Sequence, residues 1–271
     1  MLAMGVVALA ALTATALLVS QSTWSRQAEL SAGHVQAQLM IQAGLDWARA
    51  VLSDDRRLGN VDHLGEPWAL QLPPIPVDNG TLAGRIEDQQ GKFNLNNLLK
   101  NGRLDRAKLA HFRRLLAILA LPPALADTFA DRIEAGGGPL TDTADLVLVR
   151  GFDERIRVRL RPFVAALPRF TAVNANTVSP EVLAALVDGL DLDGARALVA
   201  QRERAHFRTP AEFFSQLPRG LIVPTEDISV SSDYFIAAME VKVSGAQARG
   251  AALLARANSG EWPAVVWRKT P

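Results

Sequence analysis

The chain has 271 residues, 49% of them apolar, which is more than one compact domain needs and enough for two or three small cores rather than a disordered polymer. Its 29 basic and 28 acidic side chains leave a net charge of +1, so no overall field draws it to nucleic acid or anionic lipid. With no cysteine, disulfides, thiolate metal sites and cysteine nucleophiles are excluded, while the compartment stays open because an oxidising location permits disulfides without requiring them.

No charged side chain occurs from Met1 to Ser25, and Leu2 to Val19 is built of Ala, Leu, Val, Gly and Met apart from Thr13 and Thr15. Roughly 20 such residues cross a bilayer as a helix. A cleaved secretory signal is the alternative, since Ala14-Thr15-Ala16 has the small residues of a cleavage site; that triplet lies inside the apolar run, however, and no basic residue precedes the run. The expectation is an anchor. Leu30, Val35, Leu39, Leu45, Ala48 and Leu52 then recur at spacings of three to six, with Arg26, Glu29, Gln36, Gln38 and Arg49 between them, and no proline precedes Pro67. One helix is predicted from near the start to about Leu52, on the order of 75 Å long, with its first part in the membrane and its second part amphipathic.

Gly59, Gly65, Pro67, Pro73, Pro74 and Pro76 then break the chain into turns and short extended pieces. Thr81 to Asp88 alternates enough for a strand, and Gln89 to Leu98 supplies turn chemistry and an Asn-rich helix entry. Between Arg103 and Leu217 the pattern is helical and loosely repeated. Leu115 to Leu121, Ala126 to Ile133 and a segment opening at Thr141 are echoed by Glu181 to Leu190, Ala195 to Arg202 and a segment opening at Arg208. Thr141 and Thr209 stand where N-caps would start the closing helices. Strands are predicted again over Asp233 to Ser244, Gly250 to Ala257 and Pro263 to Arg268. A lone hairpin is marginal, so early and late strands are expected in one sheet against the long helix, with the helical stretch inserted between them.

Val173-Asn-Ala-Asn-Thr-Val-Ser-Pro-Glu-Val-Leu resembles the entry of competence-type DNA receptors, and helix-hairpin-helix modules bind DNA through small, neutral backbone turns. Here Asp191 and Asp193 occupy the hairpin and would repel phosphate, so Asn174, Asn176 and Thr177 are read as helix caps. Arg155, Arg157, Arg159 and Arg161 follow Asp153 and Glu154, which suits a helix start and a solvated basic surface. His34, His63, His111 and His206 show no metal-ligand spacing, and no Gly-x-Ser-x-Gly elbow, phosphate loop or dinucleotide fingerprint occurs. His63, Glu66 and Trp68 are read as organising their loop around a buried indole. No enzymatic activity is expected.

Three segments resemble the general secretion pathway protein K family, the minor pseudopilins of bacterial type II secretion systems: Ala43-Gly-Leu-Asp-Trp-Ala-Arg-Ala-Val-Leu, Val61-Asp-His-Leu-Gly-Glu-Pro-Trp-Ala and Gly84-Arg-Ile-Glu-Asp-Gln-Gln-Gly-Lys-Phe-Asn-Leu-Asn-Asn-Leu. With the insertion and the terminal strands, the resemblance covers essentially the whole chain. It implies an α+β, pilin-like fold with a long N-terminal helix and an antiparallel sheet, interrupted by an α-helical insertion of two SAM-like, helix-hairpin-helix-like units. The implied divisions are 1–25 in the membrane, 26–102 amphipathic helix and first part of the α/β domain, 103–168 and 169–222 the two helical units, and 223–271 the completing strands. The implied function is a structural subunit at the tip of the pseudopilus, needed for its assembly and for export of folded proteins. The implied location is the inner membrane, single-pass, with the globular part in the periplasm. Other minor pseudopilins of the I, J and H types and the inner-membrane assembly platform are the implied partners, and nucleic acid is not among them. A membrane-tethered DNA-binding protein is the alternative. Pilins also carry an early glutamate that pairs with a neighbour's terminal amine; here no acidic residue precedes Glu29, the departure expected of the K-type subunit. Calcium is the one ion implied, because related pseudopilins hold it in carboxylate-rich loops. Glu226, Asp227 and Asp233 are the candidate ligands, without the spacing of an EF-hand and equally suited to capping and turns.

Overall fold

The computed structural model describes residues 2–77, 80–221, 223–243, 245–256 and 261–270, and side chains from Leu12 onward except at positions 16, 22, 25 and 29. Helix α1 runs unbroken from Leu2 to Leu58, with Arg56 and Arg57 in its last turn where a cation favours the helix dipole. Ala37, Ile41, Leu45, Ala48 and Leu52 form its buried stripe. Leu30, Val35 and Leu39, expected on the same stripe, are exposed. Val35 and Leu39 lie two positions before Ala37 and Ile41, which turns them about 200° around the helix. Spacings of three to six had merged two faces.

The stripe rests on a five-stranded antiparallel sheet whose order follows the sequence: Leu72–Val77, Gly80–Asp88, Tyr234–Val243, Ala246–Ala255, Ala264–Lys269. The alternation predicted over residues 81–88 and from residue 233 holds, and these two segments are neighbours, Arg85 opposite Ala238. Phe235, Ala237, Met239, Val241 and Val243 face α1. Gly250 lets helix and sheet meet closely, since a Cβ there would lie 2.4 Å from Ile41 Cγ2. The third predicted strand began at Gly250; the observed one starts at Ala246, and Ser244 and Ala257 lie outside the described residues. Leu72–Val77 was read as turns and short extended pieces because of its prolines. As an outer strand, it can carry Pro73, Pro74 and Pro76 without breaking an inner ladder.

Between the second and third strands of the sheet lie α2 (Arg106–Ile118), α3 (Leu125–Glu134), α4 (Glu154–Leu160), α5 (Pro180–Leu186), α6 (Leu192–Arg204) and α7 (Pro210–Gln216). They enclose a second, separate core containing Phe93, Phe112, Phe129, Leu183 and Phe213. The repeat read in the sequence is present: α2, α3 and a 3-10 turn at Thr143–Leu148 are matched by α5, α6 and α7. Thr209 caps α7 as expected. In the first unit the cap is Asp142, one residue after Thr141, with Asp145 completing a capping box.

Candidate functional site at the junction of helix, sheet and helical units

Each helical unit is joined to the chain by an Asn-x-Asn segment. Phe93–Asn94 pairs in parallel with Val164–Ala165, and Val173–Asn174 with Ile228–Ser229. In both, the first asparagine turns its Oδ1 onto the N–H two residues ahead, Asn96 at 3.0 Å and Asn176 at 2.9 Å. The second asparagine then clasps a distant peptide. Asn96 donates to Leu140 O at 2.8 Å and accepts from Leu140 N at 2.8 Å; Asn176 does the same with Phe207, at 2.9 and 2.8 Å. These amides satisfy backbone groups that water cannot reach. The helix capping expected of Asn174, Asn176 and Thr177 is not found: Ser179 caps α5 through Val182 N, while Asn174 closes a turn, Asn176 holds Phe207 and Thr177 donates to Asp88.

A charged junction lies beside the second seam. Asp62, from the loop after α1, and Asp88, at the end of its strand, are 1% and 6% exposed. Arg256, just beyond the fourth strand, puts Nη2 2.5 Å from both Asp62 oxygens and Nη1 2.7 Å from Asp55 Oδ2 of α1. Asp88 accepts from Thr177 Oγ1 at 2.5 Å, Ser232 Oγ at 2.7 Å and Gln90 N at 2.8 Å. Asn174 Nδ2 is within 3.2 Å of Asp88 Oδ2, Ser232 Oγ and Asp62 O. Long helix, loop, sheet, second unit and C-terminal strands thus meet at one set of buried polar atoms. Burial pushes the Asp88 carboxyl up to about 6 against its hydroxyl and amide donors. Asp55 is likewise raised to about 6, by burial and then by the negative charges of Glu66 and Asp62, with Arg256 opposing.

Trp68 is buried, and Glu66 Oε2 accepts from its Nε1 at 2.7 Å and from His63 N at 2.8 Å, the loop organisation expected. His63 also stacks on His206 of the second unit, ring centroids 3.8 Å apart, a contact that sequence spacing did not reveal. Glu226, Asp227 and Asp233 are not brought to one point. Asp227 is paired with Lys108 in the interior, Glu226 is exposed, and Asp233 contributes its main chain to Gln90 and Arg256. Among the described residues, the carboxylates within ligand reach of one another are Asp55, Asp62 and Glu66, and the Arg256 guanidinium already pairs with the first two while Glu66 accepts from His63 and Trp68. Asp191 caps α6 through Gly194 N at 2.7 Å, and Asp193 pairs with Arg196 at 2.9 Å. Arg155, Arg157 and Arg159 lie on α4, capped by Asp153 as anticipated, with Arg161 just after it.

The remaining candidate surface is α1 itself. Before Gly33 none of its described side chains is buried, and Leu12, Leu17, Leu18, Val19 and Trp24 are 60–76% exposed. Leu30, Val35, Leu39 and Trp47 continue this apolar surface alongside the domain. Among the described residues no helix is long and apolar enough to cross a membrane. Most of the expected segment 1–25 falls on positions whose side chains lie outside the described set.

A sequence profile of the family "Type II secretion system (T2SS), protein K" matches residues 173–231. The chain is similar to type II secretion system protein K of Pseudomonas aeruginosa, 31% identical over 274 residues that span 88% of this chain and 82% of that protein. It is similar also to the protein of that name from Aeromonas hydrophila, 30% identical over 83% of this chain and 81% of the relative. In fold it resembles a chain of the crystallised GspK-GspI-GspJ complex from the enterotoxigenic Escherichia coli type 2 secretion system. That match has a TM-score of 0.76 and 23% identity and covers 92% of this chain and 99% of the other.

Proposed function

The chain belongs to the type II secretion system protein K family, and from that premise we propose that it is a minor pseudopilin at the tip of the pseudopilus, assembled with I- and J-type subunits and, below them, the H type. The observation that carries this reading is the divided helix α1. Its second half is locked to the sheet by Ala37, Ile41, Leu45, Ala48 and Leu52, whereas none of the described side chains before Gly33 is buried, the apolar Leu12, Leu17, Leu18, Val19 and Trp24 included. Apolar surface of that extent is stable only against lipid or other helices.

The uncharged start anchors the chain in the inner membrane, and the globular part stands in the periplasm. The two helical units, SAM-like in design, form a bulk that obstructs addition of a subunit above. Absence of an acidic residue before Glu29 fits that place. A shaft subunit needs a buried carboxylate to pair with a neighbour's amine, and an unpaired charge in the apolar bundle would be costly. The experiment is co-expression of the full chain with the I- and J-type subunits of the same system, followed by membrane fractionation and affinity purification in detergent. A membrane-bound complex of the three is expected. Full-length chain soluble without detergent, or salt-sensitive retention on duplex DNA without pseudopilins, would replace this reading with another.

A further inference from the structure

The sheet face turned away from α1 holds a groove that none of these roles uses. Two rows of side chains cross the strands in register there: Arg85, Ala238, Ala251 and Lys269, then Glu87, Ile236, Leu253 and Trp267. The two alanines leave a hollow between the flanking cations. Asp142, Thr143 and the segment from Arg161 to Leu167 wall it on the side of the helical units, enclosing about 330 Å³. Arg85, Arg161, Ala238, Ala251 and Lys269 also border an adjoining hollow of about 620 Å³. Both volumes lie in the roughly 300–1,000 Å³ range of ligand-binding clefts.

The charges in this groove are unevenly matched. Its carboxylates are engaged: Glu87 by Lys92 at 2.7 Å, Asp142 by Lys269 at 3.1 Å, and Glu240 by Arg249 and Lys242 at 3.6 and 3.7 Å. Arg85 and Arg161 have no side-chain partner among the described residues. Trp267 Nε1, buried under an indole ring that the Lys269 ammonium covers at 5.0 Å, has no acceptor either. Two exposed guanidinium groups without a protein partner thus stand beside an apolar floor of Ile236, Ala238, Ala251 and Leu253. A ligand that satisfies both must carry carboxylates and apolar side chains together. A simple anion would leave the floor wet, and a purely apolar ligand would strand the donors.

We propose that this groove docks an acidic peptide segment of a partner protein, its carboxylate taken by Arg85 and Arg161 and an adjacent apolar side chain set against Ala238, Ala251 and Trp267. The test uses the full chain in detergent and a fluorescein-labelled heptapeptide of alternating leucine and glutamate, read by fluorescence anisotropy. A peptide with glutamine for glutamate should bind about tenfold more weakly or worse, the expected loss for charge-assisted contacts. Arg85→Gln with Arg161→Gln should weaken the glutamate peptide by a similar factor and leave the glutamine peptide unchanged. Both arginines are exposed, so the fold does not depend on them. Ala238→Trp should fill the floor and abolish binding of either peptide. Equal affinity for the two peptides, an unchanged double-arginine variant, displacement by inorganic phosphate alone at matched concentration, or no binding by the parent chain would each overturn the proposal.

Discussion

The two helical units are built alike but attached differently. In the first, Asn94 Nδ2 reaches neutral partners, Arg169 O at 2.9 Å, Asn97 Oδ1 at 3.0 Å and Thr171 Oγ1 at 3.1 Å. In the second, Asn174 enters the Asp62, Asp88 and Arg256 junction, where the guanidinium also bridges to Asp55 of α1. The Asn-x-Asn clasp is thus the shared device that closes a unit, and the charged junction is an addition that couples only the second unit to helix and sheet. It is the second unit, with the strand pairing beside it, that the family profile matches.

Breaking the junction should have the largest effect. Arg256→Met leaves Asp62 and Asp55 without their cation in a nearly closed interior and should cost about 3–5 kcal/mol, measured by urea unfolding of the detergent-solubilised chain. Next come the clasps. Asn96→Ala and Asn176→Ala each strand a buried N–H and a carbonyl, with the Leu167 carbonyl stranded as well by Asn96→Ala, and each should cost about 2–3 kcal/mol. Near-equal losses would sharpen the view that the clasp is a shared device; a large inequality would break it.

A pH series isolates what the second unit has and the first lacks. Asp88 titrates at about 6 in the folded chain against about 4 when unfolded, so its stabilising contribution is complete below about 4 and is lost as pH rises through about 6. Asp88→Asn should flatten the slope of stability between pH 4 and 7 by about 2–3 kcal/mol, while Asp55, also raised, keeps part of it. An unchanged slope would mean that Asp88 is not the titrating group. The smallest effect on stability is expected on the free face of α1. Leu39→Gln, at a residue 67% exposed, should move stability by less than about 0.5 kcal/mol yet reduce recovery of partner subunits.

Periodic features were legible in the sequence: the long helix, the alternating strands and the repeat of the helical units. They rest on local hydrophobic patterning, which one stretch of chain carries by itself. Their details failed where two local signals overlapped, as in the α1 stripe, the cap at Asp142 beside Thr141, and the proline-rich outer strand. The junction was not legible, because Asp62, Asp88, Asn174 and Arg256 are brought together only by the sheet and the insertion closing on each other. The same lack of long-range information led the carboxylates Glu226, Asp227 and Asp233 to be grouped by proximity in sequence, although folding sends Asp227 to Lys108. Arg85 and Trp267 lay in predicted strands, but nothing joined them until strand register set them on one face.

The proposed division of labour is that α1 assembles while the helical units end the assembly. It is tested most directly by photo-crosslinking in assembled pseudopili, with the crosslinker placed at Leu39 on α1 and at Leu148 on the first unit, where the side chain is 76% exposed. Leu39 should crosslink to neighbouring minor pseudopilins, and Leu148 should crosslink to no subunit above this chain. Crosslinks that join successive copies of this chain, with neighbours both above and below, would contradict it.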